Sequence, residues 1–194
     1  MAGICEHCND TRPAFYVLRS CAVFKEPLRP ALRKLKYGRD IGLGEALAWD
    51  VAVCLHSLGW QADAIVPIPL SQQRMRERGY NQSGLIAHPL SHIMKWNYLP
   101  DALQRVRHTR SQVGLTAAER RENVQAAFTA HAGKVKNKTI LLFDDVATTG
   151  ATLNSASQSL LSAGATRVYA LTVAKALQKY GLDRIEQLSP RSSH

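Results

Sequence analysis

The sequence predicts an α/β domain on a mainly parallel sheet flanked by helices, and three observations lead to it. First, Thr139–Phe143 is an apolar strand, Ala151–Ala163 a helix stopped by Gly164, and Thr166–Ala174 a strand rich in Val, Tyr, Leu and Thr. A strand, a helix and a second strand of these lengths form a parallel crossover. Second, Ala64-Ile65-Val66-Pro67-Ile68-Pro69 is a short apolar run that reads as a buried strand ending at its prolines. Third, Leu43, Leu47, Val51, Cys54, Leu55 and Leu58 recur every three or four residues, so 43–58 is an amphipathic helix ended by Gly59. Strands alternating with helices give the class.

The remaining elements follow from local signals. Pro30 suits the first turn of a helix through Leu32, Leu35 and Lys36, with Gly38 as its stop. Residues 82–96 have a helical pattern, interrupted by Pro89, which costs an interior helix about 3 kcal/mol or kinks it. Thr116-x-x-Glu119 is a capping box that starts a further helix through Arg120 and Asn123. The stretch to about Cys21 reads as short and irregular, and the end from about Tyr180 as a polar tail. The expected division is a short N-terminal segment at 1–26, the main domain at 27–178 and a tail at 179–194.

Composition bounds the function. The chain is 45% hydrophobic and 21% charged over 194 residues, enough for one domain with a real core. No run approaches the 18 or so apolar residues of a membrane-spanning helix, so no membrane insertion is expected. The opening residues lack a basic segment followed by an apolar one, so no secretory signal is expected and the expected location is cytoplasmic. Four cysteines are too few for a disulfide scaffold of this length. Lysine plus arginine number 25 against 15 acids, and the net charge of +10 favours anionic partners: nucleic acid, acidic membrane or a polyphosphate ligand.

The segment Phe143-Asp144-Asp145-Val146-Ala147-Thr148-Thr149-Gly150-Ala151-Thr152 carries most of the chemistry. It is expected to be a loop over Asp144–Gly150, beyond the carboxyl end of a strand, where open α/β sheets bind their ligands. Two adjacent carboxylates there can accept bonds from sugar hydroxyls or hold a hard cation such as Mg²⁺. Thr148, Thr149, Gly150, Ala151 and Thr152 then open a helix whose free N–H groups and hydroxyls make a cradle for a phosphate. A diol-binding pair beside a phosphate cradle describes a ribose 5-phosphate site. The competing reading is a β-α turn in which these residues only cap the helix. A Walker A loop is excluded, because no Gly-Lys-Ser/Thr is present. Gly42-x-Gly44 lacks the third glycine and the preceding strand of a dinucleotide fingerprint.

This run resembles the 5-phosphoribosyl 1-pyrophosphate (PRPP) signature of the type I phosphoribosyltransferases. Two more segments narrow the resemblance. One is Val66-Pro67-Ile68-Pro69-Leu70 followed by Arg74-x-Arg76-x-Arg78-Gly79-Tyr80-Asn81-Gln82. The other is Arg107-His108-Thr109-x-Ser111-Gln112-x-Gly114-Leu115, with Glu119-Arg120-x-x-Asn123-Val124 and Ala127-Phe128 after it. Together they are similar to the ComF family of phosphoribosyltransferase-like proteins, over roughly Cys5 to Leu177. The resemblance implies that Asp144 and Asp145 contact the ribose and its Mg²⁺, and that Thr148–Thr152 hold the 5-phosphate. It implies transfer of phosphoribose to a nucleobase or amine. The family's tie to DNA uptake implies an alternative: a non-catalytic competence accessory that binds PRPP or single-stranded DNA.

Arg74, Arg76 and Arg78 follow a strand end, and Arg107 and Gln112 lie in a polar basic stretch that suits a loop closing over a ligand. A pyrophosphate needs a second cationic site, and arginine's planar fork matches phosphate oxygens. Each cluster can equally be a solvated basic surface. Tyr80, Trp96 and Tyr98 are aromatics on which bases could stack, although such residues more often belong to a core. Some purine-salvage relatives carry an acid where this chain has Thr148, so no general base is identified. ComF-like proteins usually begin with a cysteine-rich zinc finger. Here Cys5, Cys8 and Cys21 with a histidine would supply the four ligands of a structural Zn²⁺, the alternative being a degenerate finger.

Overall fold

The computed structural model describes residues 12–38, 40–106 and 127–176. Its centre is a five-stranded sheet built from β1 (Val17–Val23), β2 (Ala64–Pro67), β3 (Asn97–Tyr98), β6 (Thr139–Ala147) and β7 (Arg167–Lys175). The order is β1-β7-β6-β2-β3, and every neighbouring pair is parallel. A separate antiparallel ribbon joins β4 (Leu103–Arg105) to β5 (Phe128–Ala130). The helices are α1 (Leu28–Tyr37), α2 (Ile41–Leu58), α3 (Gln72–Arg78), α4 (Gln82–Met94), α5 (Ala132–Val135) and α6 (Ala151–Ser162).

Strand alternation divides the core into two layers, because successive side chains leave a strand on opposite faces. Ile65, Leu141, Phe143, Leu171 and Val173 face α1, α2 and α4. Ala64, Val66, Ile140, Leu142, Val168 and Ala170 face α6 and the ribbon. β2 and the first half of β6 are buried on both faces and so read as unbroken apolar runs.

Two expectations are corrected. The stretch expected to be irregular to about Cys21, within the N-terminal segment 1–26, contains β1, which pairs with β7 from Val17↔Tyr169 to Val23↔Lys175. The sheet domain therefore takes in residues from Val17 onward. β1 is an edge strand with one neighbour and a mixed run, Val-Leu-Arg-Ser-Cys-Ala-Val, so its alternation is weak and the pairing comes from β7. The loop expected at Asp144–Gly150 is only Thr148–Gly150, because β6 runs on to Ala147. Its ladder with β7 continues through Asp144↔Thr172 and Ala147↔Lys175. The expected helices at 30–36, 43–58, 82–96 and 151–163 and the expected strands at 64–69 and 166–174 fall within a few residues of α1, α2, α4, α6, β2 and β7, whereas α3, α5, β3, β4 and β5 have no counterpart among the expected elements; the capping box at Thr116 lies outside the described residues.

Pro89 sits inside α4 without ending it. Proline has no N–H to offer the carbonyl four residues back, here that of Leu85. Against this carbonyl lies Gly44 of α2: a Cβ built on it would stand 2.8 Å from the Leu85 oxygen. The two helices thus meet backbone to backbone at a glycine and a carbonyl that proline leaves without its helical bond. Gly44→Ala should cost about 1–3 kcal/mol by overpacking. Gly42→Ala, whose Cβ would meet only Asp40 Oδ1 at 3.8 Å, should be neutral or stabilise by up to about 1 kcal/mol through helix propensity. Urea unfolding of the two variants checks this, and equal effects would contradict the close approach.

Candidate functional site

The site lies at the carboxyl ends of β2 and β6. The two aspartates of β6 are adjacent, so the pleat separates them, and they have different environments. Asp145 is 4% exposed and shares the α4 face with Leu141 and Phe143. Its Oδ2 is ion-paired with Lys36 Nζ of α1 at 2.7 Å. Gln82 Nε2 donates to its Oδ1 at 3.4 Å, and Arg78 Nη1 donates to Gln82 Oε1 at 2.8 Å. Arg78, Gln82, Asp145 and Lys36 therefore form one chain of polar contacts running from α3 through α4 and β6 to α1.

Asp144 has no such ion pair among the described residues. Its Oδ1 accepts from the Ser83 hydroxyl at 2.8 Å and from the Asp145 backbone N–H at 2.9 Å. Burial, and then the neighbouring Asp145 charge, push its carboxyl up to about 7; the two hydrogen bonds hold it back only partly. Arg105, at the end of β4, is close enough for its charge to be felt by Asp144. Burial lowers the Arg105 guanidinium, as does the like charge of Arg74, while Asp144 draws it back up. Arg74, Arg105 and Asp144 thus belong to one electrostatic neighbourhood.

The phosphate-cradle segment has the expected strand–turn–helix form. Gly150 is the N-cap of α6 at φ +83°, a left-handed conformation that glycine adopts without strain. Its buried Cα faces Leu18 of β1, whose Cδ2 would stand 3.2 Å from an added Cβ. The Thr149 hydroxyl accepts from the Ala151 N–H at 3.3 Å. The N-cap has no side chain to cap the helix, and the first turn holds no acidic residue. The positive end of the α6 dipole is therefore left open to an anion from outside. Thr148, Thr149, Ala151 and Thr152 are all exposed.

The arginine cluster divides. Arg74 and Arg76 are exposed on α3, while Arg78 is half-buried, bonded to Gln82 and set 5.2 Å from the Tyr37 ring centroid. Sequence reasoning reaches α3 through its arginines and includes Gln82 in the run that follows them without a role, but Lys36, Ser83 and Arg105 carry no motif of their own. The Arg-Gly-Tyr-Asn-Gln run that ends at Gln82 is the nearest pointer to Ser83. Arg107 and Gln112 lie outside the described residues; on the ribbon that precedes them, Arg105 is near enough to Asp144 for the two charges to interact. Cys5 and Cys8 are also outside the described residues. Cys21 is half-buried in β1, where burial and the adjacent Cys54 thiol raise its own thiol far above the ordinary range. Tyr80 donates to Leu35 O, and Trp96 and Tyr98 are half-buried against the core. Among the described residues no helix is long and apolar enough to cross a membrane.

Comparison with known proteins gives the family of the chain. The phosphoribosyl transferase domain family matches residues 89–189. The DNA utilization protein YhgH of Escherichia coli (strain K12) is 34% identical over 169 residues, 84% of this chain and 74% of that protein. Competence protein F of Haemophilus influenzae is 31% identical over 180 residues, 89% of this chain and 78% of that protein. Among solved structures, the glutamine PRPP amidotransferase from B. subtilis superposes with a TM-score of 0.46 at 20% identity, over 76% of this chain and 32% of that one. The chain belongs to the ComF family of phosphoribosyltransferase-domain proteins.

Proposed function

We propose that the protein binds PRPP with Mg²⁺ at this site and transfers its phosphoribose to a nucleobase or amine. The observation that carries the reading is the juxtaposition of Asp144, an acid with no ion pair among the described residues, with the glycine-capped N-terminus of α6 just beyond the end of the same strand. The α6 N–H groups and the Thr148, Thr149 and Thr152 hydroxyls would hold the 5-phosphate. Asp144 would accept from the ribose hydroxyls. Asp145, held by Lys36 and Gln82, would position Asp144 rather than touch the ligand. Arg74 and Arg105, which share the electrostatic neighbourhood of Asp144, would meet the charge of the pyrophosphate.

A desolvated carboxylate whose hydrogen-bond donors among the described residues are a hydroxyl and an amide suits a hard cation, and Asp144 is the residue that would hold Mg²⁺ or the hydroxyls it orders. Bound there, Mg²⁺ would neutralise the departing pyrophosphate. The residues contribute positioning and charge stabilisation; none of those described takes the role of a general base. The relatives named for DNA utilization and competence favour a second reading, in which the basic protein binds PRPP or single-stranded DNA without turnover.

Thermal unfolding tests the first reading. Mg²⁺–PRPP at about 100 times its dissociation constant should add about 2.7 kcal/mol of stability. For a domain of this size that raises Tm by roughly 5–10 °C. No shift at saturating ligand would overturn PRPP binding and move the reading to the polyanion-binding one.

A further inference from the structure

A cleft of about 740 Å³ lies on the outer face of α4, away from the side on which Gln82 and Ser83 meet the aspartates. Its walls include Tyr98 of β3, Glu45 of α2 and two histidines of α4, His88 and His92. Four residues apart, the histidines stand on the same helical face one turn from each other. Both are exposed, and their Nε2 atoms converge to 3.3 Å with the rings nearly perpendicular, at 87°.

That separation has chemical meaning. Two imidazole nitrogens bound to one metal at about 2.1 Å are about 3.0 Å apart at a right angle and about 3.4 Å apart at the tetrahedral angle. The observed 3.3 Å falls between these values, so the pair already has the spacing of a two-imidazole chelate. The surrounding residues bond the backbone carbonyls of both histidines and pack against one ring. Tyr98 packs edge-on to the His88 ring at 5.1 Å, the Ser91 hydroxyl donates to His88 O, and the Lys95 N–H at the helix cap donates to His92 O. Among the described residues no third acid, thiol or imidazole closes a ready-made cluster around them, so the pair itself is the chelate. Glu45 lines the same cleft and gives it a carboxylate, a ligand type that zinc-class ions accept.

We infer that His88 and His92 form a two-imidazole site for a divalent transition-metal ion of the zinc class, opening into the cleft shared with Glu45 and Tyr98. Two protein ligands leave coordination positions free, so the ion would present itself to an oxygen or nitrogen ligand seated in the cleft. This site is separate from the aspartate pair, and it stands or falls independently of PRPP binding.

Calorimetric titration with Zn²⁺ alone tests it, in the full chain carrying Cys5→Ser and Cys8→Ser so that N-terminal thiols do not contribute. One saturable zinc per chain is expected at this site. Either His88→Ala or His92→Gln should weaken it at least about tenfold, since one imidazole alone is no chelate. Glu45→Gln should weaken it less. Co²⁺ in place of zinc should give visible absorption that both histidine variants lose. The side chains are exposed, and an unchanged Tm without metal will establish that the variants are folded. Zinc binding that persists in both histidine variants, or that is absent from the parent, would overturn the site and leave the 3.3 Å contact as an N–H···N hydrogen bond.

Discussion

Asp144→Asn is expected to stabilise the unliganded protein above pH 7 and, in the same molecule, to abolish stabilisation by Mg²⁺–PRPP. The sign follows from the acid's environment. Its carboxyl is raised from 3.8 to about 7, chiefly by burial and next by the Asp145 charge. An acid raised in the folded state binds its proton more tightly there than in the unfolded chain. The stability it contributes is complete below about pH 4 and is lost as pH rises through about 7. Above that, the folded state carries a desolvated charge at a cost of order a few kcal/mol. Asparagine keeps an oxygen to accept from the Ser83 hydroxyl and the Asp145 N–H, and it never ionises. Urea unfolding at pH 5, 7 and 8 should therefore show the variant gaining on the wild type as pH rises, by about 2–4 kcal/mol at pH 8. Parallel profiles would mean that Asp144 titrates normally and is not the strained member of the pair. The ligand arm is independent of the pH arm: the amide cannot hold Mg²⁺ as a carboxylate does, so the rise in Tm with Mg²⁺–PRPP should vanish. A group that costs stability when empty and is satisfied when filled is the pattern expected of a binding site rather than of a structural cap.

Such a distinction between the two aspartates is not legible in the sequence. Asp144-Asp145 and Thr148–Thr152 are contiguous, and strand, turn and helix are local structures, so the position of the pair beside the turn can be read from the string itself. What each carboxylate faces depends on the pleat and on residues far away in sequence. Lys36 reaches Asp145 from α1, Gln82 and Ser83 reach the pair from α4, and Arg105 arrives on a ribbon outside the main sheet. None of these has a spacing relation to the pair. The expected loop at Asp144–Gly150 is too long for a related reason. Asp has low strand propensity, but β7 pairs with β6 as far as Ala147, and the ladder overrides the preference. β1 shows the same limit, since nothing in its seven residues announces that β7 has a free edge to offer. Pro89 is the converse case: the local rule disfavours it in a helix, and the carbonyl it leaves is where Gly44 comes close.

Lys36→Ala should be among the most destabilising single changes near the site, costing about 3 kcal/mol, because it leaves Asp145 buried without its counter-ion. The pair is asymmetric. The Asp145 side chain is 6% exposed and that of Lys36 23%, so the lysine can recover water if its partner is lost and the aspartate cannot. Asp145→Asn should therefore cost less, about 1–2 kcal/mol, since the amide oxygen still accepts from Gln82 and Lys36 relaxes toward solvent. Combining the two changes should recover much of the Lys36→Ala loss, giving a coupling of about 1–2 kcal/mol in a double-mutant cycle measured by urea unfolding. Equal and additive losses would mean that solvent already screens the pair, contrary to the burial of Asp145. The cycle also bears on function. With Lys36 gone, the Asp145 charge is no longer balanced and acts more strongly on Asp144, raising a carboxyl that already stands near 7. Less of Asp144 is then ionised at neutral pH, and Mg²⁺–PRPP should bind more weakly to Lys36→Ala although Lys36 touches no ligand. In the double variant the amide that replaces the Asp145 carboxylate exerts no charge, and binding should return toward that of the wild type. Recovery of affinity together with stability would identify Lys36 as a positioning residue whose role is to neutralise one aspartate so that the other stays available.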